Sequence, residues 1–441
     1  MVTRTRVMVL TDISSLHRGW KEPDDTQSLV RLLLYANDLE LEGLVATYSK
    51  HWDGEVKADY IEKIVKAYGE VRANLQLHDN RYPDEADLLG MIKAGNPCDG
   101  PDNVGDGHRT EGSDWIEAAI CKEDDRPLWV TVWGGTTDLA QALWQAETRL
   151  GADRFRERLG QLRVYSVVDQ YAMGSWVRDR YPELFYIRSR QGIRGMYKGG
   201  DASLVSDEWL RRYVTEGHGA LGAAYPHYDG GDIYSRTVKG IKEGDSPSFL
   251  YLLPNGLGDS ERPEWGSWGG RFIRDLGPKS GEVNRHYVDA EEFAGEGIHP
   301  DEVYWSSVYR WRDAFQRSFQ ARMDWCVLPS ERGGREPICL ISGPRERTVL
   351  SGASVELDGS ASYDPRNRSL SYCWQVYEEA GTYRGTTTDL VGDRSSLVRL
   401  RAPNVSEPVT IHLILAVTND GDPPLTSYGR VVLTVRPEAA L

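Results

Sequence analysis

RVMVLTD (Arg6–Asp12), a polar loop, and then PDDTQSLVRLLL (Pro23–Leu34) are the first two elements of the chain, and their order limits what can follow. The run Arg6–Thr11 is almost continuously apolar, as expected of a parallel strand buried on both faces. It ends on an acid, Asp12. Asp24 and Asp25 then open a helix through Leu34, with carboxylates in its first turn. Working outward, Leu41–Thr47 reads as the next strand, Asp53–Val71 as a helix, and Pro127–Val132 as a third strand. A Gly-Gly turn follows, then a helix over Thr137–Leu150, with further strands expected at Leu162–Val168 and Phe249–Leu253. Strand–helix alternation at this spacing predicts an open, mostly parallel α/β sheet with helices on both faces, spanning residues 1–330.

Beyond Pro329 the period changes. Ser330–Pro337 (SERGGREP) is polar and Gly-containing, the composition of a linker. Residues 338–441 then show short alternating segments at Ser354–Leu357, Leu370–Val376, Leu397–Arg401, Val409–Val417 and Gly429–Val435, separated by Gly, Asn, Asp and Pro turns. Seven or so strands in this length predict an all-β, Ig-like sandwich. A chain of 441 residues has room for such a second domain. No tandem repeat or low-complexity tract interrupts it.

Hydrophobic residues at 40% and charged residues at 27% describe a globular chain rather than a disordered one, and the net charge of −15 repels phosphate backbones and anionic surfaces. Without a Lys/Arg stripe, nucleic acid is not expected as a partner. No apolar run approaches a membrane span, so no membrane association is expected. The first residues carry no signal-peptide pattern, which leaves a cytoplasmic protein or a secreted one whose leader has been removed. Five cysteines without C-x-x-C spacing argue against a disulfide framework and a zinc site. A single pair, Cys339 with Cys373, is left open, and the sequons at Asn367 and Asn404 carry little weight without a secretion signal. Fourteen Trp and 23 Tyr against seven Phe is an excess of amphipathic rings. Such rings line sugar-binding and protein-binding surfaces as well as cores.

Strands of an open parallel sheet present their C-terminal ends to the ligand crevice. Asp12 at such an end, with Asp24 and Asp25 at the start of the next helix, would bring three carboxylates together. Their mutual repulsion calls for a cation, and a hard divalent ion with oxygen ligands, calcium above all, suits them. The competing reading makes Asp24 an N-cap, Asp25 a helix-dipole partner and Asp12 a turn residue.

Leu10-Thr11-Asp12 followed by Glu22-Pro23-Asp24-Asp25-Thr26-Gln27-Ser28 resembles the N-terminal D-x-D-x-G-x-D-D motif of nucleoside hydrolases. It resembles more closely a divergent relative, the nucleoside hydrolase-like domain of proteins named as cellulose-binding, which carry a C-terminal Ig-like domain. Gly112–Ile116, Trp133–Thr136, Asp169-Gln170, Pro254–Asp259 and Pro263–Arg271 are similar to segments of the same relatives. Val355–Pro365 with Leu370–Trp374 resembles PKD and cadherin-like modules, in which that Trp plugs the sandwich.

The resemblance implies calcium ligated by Asp12, Asp24, Asp25, the Trp133 carbonyl and Asp259, with Asp12 as the base that takes a proton from water. A metal that clamps a diol, next to a carboxylate base, is chemically suited to that reaction. This chain departs from the family in three places. Leu10 replaces the first aspartate of the motif. Eleven residues separate Asp12 from Asp24 where the motif has three. The His-Asp pair near the leaving base reads Gly258-Asp259, so the expected acid is missing. Glu264, flanked by Trp265, is the first candidate to replace it and His17 the second. Asn255, Trp265 and Trp268 are candidate sugar contacts, as are Asp169 and Trp176 after another strand end; His108 is at most a rim residue. The sequence therefore supports a calcium-dependent hydrolase of a glycosidic or N-ribosidic bond. The alternatives are a non-catalytic binder of a cellulose-like glycan in the same crevice, and a scaffold with a vestigial metal site. The partner expected is a carbohydrate or glycoside, with homo-oligomerisation left open.

Overall fold

A computed structural model describes residues 4–17, 23–50, 54–230, 239–276, 284–292, 299–385 and 389–438. Glu22 of the N-terminal motif and Asp53, the expected helix start, lie outside these. Eight strands build the first sheet: β1 Thr5–Thr11, β2 Leu39–Ala46, β3 Ile92–Ala94, β4 Leu128–Val132, β5 Leu162–Val167, β6 Phe185–Ser189, β7 Phe272–Arg274 and β8 His286–Asp289. Their spatial order is β3-β2-β1-β4-β5-β6-β8-β7, and every pairing is parallel except β7 with β8. The apolar run of β1 follows from its place between β2 and β4, where Val7 to Leu10 are wholly buried. Helices cover both faces, so the apolar residues divide into two clusters on opposite sides of the sheet.

The chain goes from β1 to β2 on one side and later returns to β4 on the other. The order thus reverses beside β1, the place where open α/β sheets form a crevice. Residues Thr47 and Trp133 confirm that three strands end together there: Thr47 N donates to Thr11 O and Trp133 N to Leu10 O, both at 2.8 Å.

Two sequence expectations change. Phe249–Leu253 is not a strand but the end of a buried helix, Ser246–Leu250, and the turn after it. A short apolar run reads the same in a buried helix as in a buried strand, and Pro247 in the first turn is the signal for the helix. The second helix runs Ala58–His78, later than its apolar pattern indicated. The other strands named from sequence form within a residue or two, or three at the start of the last.

The C-terminal region folds from β9 Glu346–Leu350, β10 Ser354–Asp358, β11 Leu370–Val376, β12 Leu397–Arg401, β13 Val409–Asn419 and β14 Thr426–Arg436. They form a β10-β12 pair facing a β11-β13-β14-β9 sheet. That is six strands among the described residues rather than seven, and β9 pairs parallel with β14. Trp374, 2% exposed, fills the sandwich core as the sequence suggested. All five cysteines are free, so Cys339 and Cys373 are not joined. Among the described residues no helix is long and apolar enough to cross a membrane.

The two regions share one core. Tyr377, Ile414 and Tyr428 of the sandwich belong to the same buried cluster as Trp268, Trp311 and Phe315. The Ser330–Pro337 connection is tied to both sides: Ser318 Oγ donates to Glu336 Oε1 at 2.9 Å, and Asn419 Nδ2 to Arg335 O at 2.8 Å.

Candidate functional site

Asp12 follows the last residue of β1 and is 6% exposed. Thr11 Oγ1 donates to Asp25 Oδ1, which joins the strand end to the first turn of the helix Asp24–Leu34. That helix is buried along almost its whole length, including polar positions that its sequence alone would place at the surface. Those positions recruit a distant segment. Gln27 Nε2 donates to Pro226 O and Gly240 O, and Gln27 Oε1 accepts from Lys242 N. Arg31, wholly buried, forks onto Glu243, also wholly buried, with its Nε 2.5 Å from Oε2 and Nη2 3.0 Å from Oε1. Tyr225 Oη and Ser246 Oγ donate to the same carboxylate. Two residues later comes Asp245, 2% exposed. As a result Asp24, Asp25 and Asp245 offer carboxylate oxygens that all lie within 4.8 Å of one another.

The fourth carboxylate expected in this cluster, Asp259, is elsewhere. Its neighbour Glu261 is held by Arg163, the second residue of β5, so this segment runs past the N-terminal ends of the strands. Asp259 lies 3.9 Å from both Arg262 and Arg345, facing the sandwich. Asp245 stands where the distal ligand was sought. The sequence did carry a signal for it: Asp245-Ser246-Pro247 is an acid at a helix start, the same pattern as Pro23-Asp24-Asp25. Asp245, like Asp259, is preceded by a glycine, Gly244, and not by a histidine.

Above the cluster, the loop after β5 covers two acceptors. Tyr171 Oη donates to Asp12 Oδ2 and Gln170 Nε2 to the Trp133 carbonyl, each at 2.6 Å. Burial and the adjacent Asp12 carboxylate push the Tyr171 hydroxyl well above its ordinary pKa, so it keeps its proton and remains a donor. The loop is bent sharply, with Val168 at φ 71° and Asp169 at φ 54°, uncommon values for residues other than glycine. Asp169 is anchored rather than open. It accepts from Ser166 Oγ, Tyr186 Oη and the Arg178 guanidinium at 2.6 to 3.0 Å. Gly134 is required here, because a side chain on it would strike Asp12.

The remaining candidates are dispersed. Trp176 is half-buried against the second core, with the Arg180 guanidinium 5.6 Å from its ring centroid. Glu264 is exposed on a short turn beside Trp265. Trp265 and Trp268 are not open platforms. Trp265, 5% exposed, stands edge-on to His412 at 5.3 Å, and Trp268 Nε1 donates to Tyr428 Oη at 3.4 Å. Asn255 gives its carbonyl to Tyr428 N at 2.9 Å, and Gly256, at φ 86°, leaves room for the Tyr428 backbone where any side chain would collide. Pro254–Asp259 and Pro263–Arg271 thus form the socket for β13 and β14. His17 is exposed on the crevice loop, two residues past Ser15, whose carbonyl accepts from Thr26 Oγ1. His108 is half-buried on the loop ahead of the helix Glu111–Cys121.

The reversed sheet order, with acids at its crevice, defines a nucleoside hydrolase-like domain followed by a β-sandwich. Residues 6–272 match the family described as "Cellulose-binding Sde182, nucleoside hydrolase-like domain", and residues 354–435 match "Cellulose-binding protein Sde0182, C-terminal domain". The chain belongs to this family. It is similar over 98% of its length to the whole of a solved structure, a nucleoside hydrolase-related hypothetical protein from Saccharophagus degradans that is associated with carbohydrate metabolism. The identity is 31% and the TM-score 0.81. A PKD domain from KIAA 1837 protein is 25% identical over 25% of this chain and 95% of its own, with a TM-score of 0.18. CopC from Methylosinus trichosporium OB3b is 16% identical over 24% of this chain and 99% of its own, with a TM-score of 0.16. No curated protein matches the chain.

Proposed function

We propose that the crevice is a calcium-dependent hydrolytic site for a glycosidic or N-ribosidic bond. The observation that carries this reading is the convergence of Asp24, Asp25 and Asp245 beside Asp12 at the reversal of the sheet. The donor set fits a hard divalent cation: three carboxylates, with no cysteine or histidine among them. Asp24, Asp25 and Asp245 would hold the ion. Bound calcium would supply charge neutralisation and a chelating centre for a vicinal diol. Asp12 would accept the proton of the attacking water, its carboxylate oriented by the Tyr171 hydroxyl. Gln170 and Tyr171 would have to yield as a sugar entered, since both donate to groups at the crevice floor. Of the two acid candidates His17 is on the crevice loop, and Glu264 is at the joint with the sandwich.

Elemental analysis of purified protein should find about one calcium per chain, removable by chelator. Asp12→Asn should abolish turnover of the best substrate in a panel of aryl glycosides and oligosaccharides while calcium binding persists, weakened. Inosine and uridine should be poor substrates, because no histidine precedes the distal acid to protonate a purine or pyrimidine. Metal-free protein that hydrolyses at full rate would sink the calcium reading.

The second reading, a non-catalytic glycan binder, is favoured by Gly244 and by the family's cellulose-binding description. It wins if a glycan binds, no glycoside turns over, and Asp12→Asn leaves binding unchanged.

A further inference from the structure

Under the hydrolase reading, on which this inference rests, an oxygen leaving group needs a proton as well as an activated water. Neither acid named from the sequence is joined to the base. Glu264 is exposed on its turn at the joint with the sandwich. His17 is exposed too, and the bonds it makes, both with Ser15, use its backbone.

Tyr171, by contrast, already touches Asp12. Its Oη is 2.6 Å from Asp12 Oδ2 and accepts from Lys50 N at 3.3 Å. The ring is half-buried next to exposed Gln170 and stands edge-on to Tyr48, with centroids 4.9 Å apart. Its backbone is held on both sides. Ser166, Tyr186 and Arg178 fix Asp169, and Ala172 N donates to Asp99 Oδ2 at 2.9 Å. The fold therefore places the hydroxyl at the crevice floor before any substrate arrives.

A phenol offers one proton and two acceptor sites. Here the proton goes to Asp12, and Lys50 N uses one acceptor site. Once Asp12 has taken a proton from water it becomes a donor, and the same contact reverses. Asp12 then donates to Oη, which releases the phenol's own proton for a leaving group. We propose that Tyr171 is the acid of the crevice, protonating the leaving oxygen and recovering its proton from Asp12. The oxygen of water bonds to the anomeric carbon, and one of its protons goes to Asp12. The bond from that carbon to the leaving oxygen breaks with its electron pair on the oxygen, which takes the Tyr171 proton. The proton on Asp12 crosses to Oη, and both side chains regain their starting states. A phenolate beside a carboxylate would be costly, and this transfer removes it as it forms.

The test compares Tyr171→Phe with the parent on two leaving groups, using phenyl and dinitrophenyl β-glucosides and β-ribosides with the full chain and calcium. Dinitrophenolate departs without a proton, whereas phenolate is helped by one. Tyr171→Phe should lower kcat/KM about a hundredfold or more for the phenyl glycosides and less than about fivefold for the dinitrophenyl ones. A residue that only oriented Asp12 would be missed equally by both. Calcium titration and thermal unfolding show that the variant is folded and keeps its metal. Equal losses on the two leaving groups overturn the relay and leave the hydrolase reading standing. So does a selective loss in His17→Ala with Tyr171→Phe unaffected. A parent that turns over none of these glycosides overturns both.

Discussion

Asp138 shows how much one buried side chain sets at the start of a helix. It is 1% exposed in the first turn of the helix Thr137–Leu150, where Asn96 N and Thr110 Oγ1 both donate to it. Those bonds favour its charged form, but burial outweighs them and raises its pKa to about 6. The sign follows from proton counting. Between about 4 and 6 the folded state binds a proton that the unfolded state has released, so stability falls as pH rises through that window and then levels. Asp138→Asn should flatten this slope, which is on the order of 2–3 kcal/mol in total. Urea titrations at a series of pH values between 4 and 7 measure it; parallel slopes for the variant and the parent would show that Asp138 ionises freely.

At the scale of elements, the helix Asp24–Leu34 and the segment Lys242–Ser246 are one unit although two hundred residues apart in sequence. Arg31 and Glu243 are both wholly buried, and removing one partner leaves the other charge without compensation. Glu243→Gln should cost about 3–5 kcal/mol of stability. It should also weaken calcium binding tenfold or more, because Glu243 fixes the backbone that delivers Asp245. Denaturant unfolding and calcium titration of the same variant test both. A variant that loses stability but binds calcium as tightly as the parent would show that Asp245 is positioned by something else.

The whole molecule behaves as two domains fused through aromatic rings. His412, 3% exposed on β13, is edge-on to Trp265, and Arg430 Nη1 donates to its Nδ1 at 3.0 Å. Burial, and then the Arg430 charge, pull its pKa down to about 3. Because the folded value is depressed, the stability it secures is complete above the ordinary histidine value near 6.5 and is lost as pH falls towards 3. Acidification should therefore loosen the joint, exposing the Ser330–Pro337 connection to protease. His412→Asn, which keeps an acceptor for Arg430, should resist cleavage at a lower pH than the parent. Identical cleavage profiles would place the acid-sensitive step outside the joint.

Local pattern alone determined the class of each half. A doubly buried strand is apolar throughout and a sandwich strand alternates, so RVMVLT, with its β-branched residues, and the alternating SVELD both read as strands. The two acids of PDDTQ were legible for the same reason, since a helix start favours them wherever it sits. Only the tertiary structure decided what those acids meet. Asp245 reaches them because Gln27 and Arg31, polar residues of the helix Asp24–Leu34, are buried and grip residues 240–243. Asp259 does not, because its segment is held at the opposite ends of the strands by Arg163. Trp265 and Trp268 carry the same ring chemistry whether they stack on a sugar or on a neighbouring domain. Which of these they do depends on what the fold brings against them, and here it brings β13 and β14.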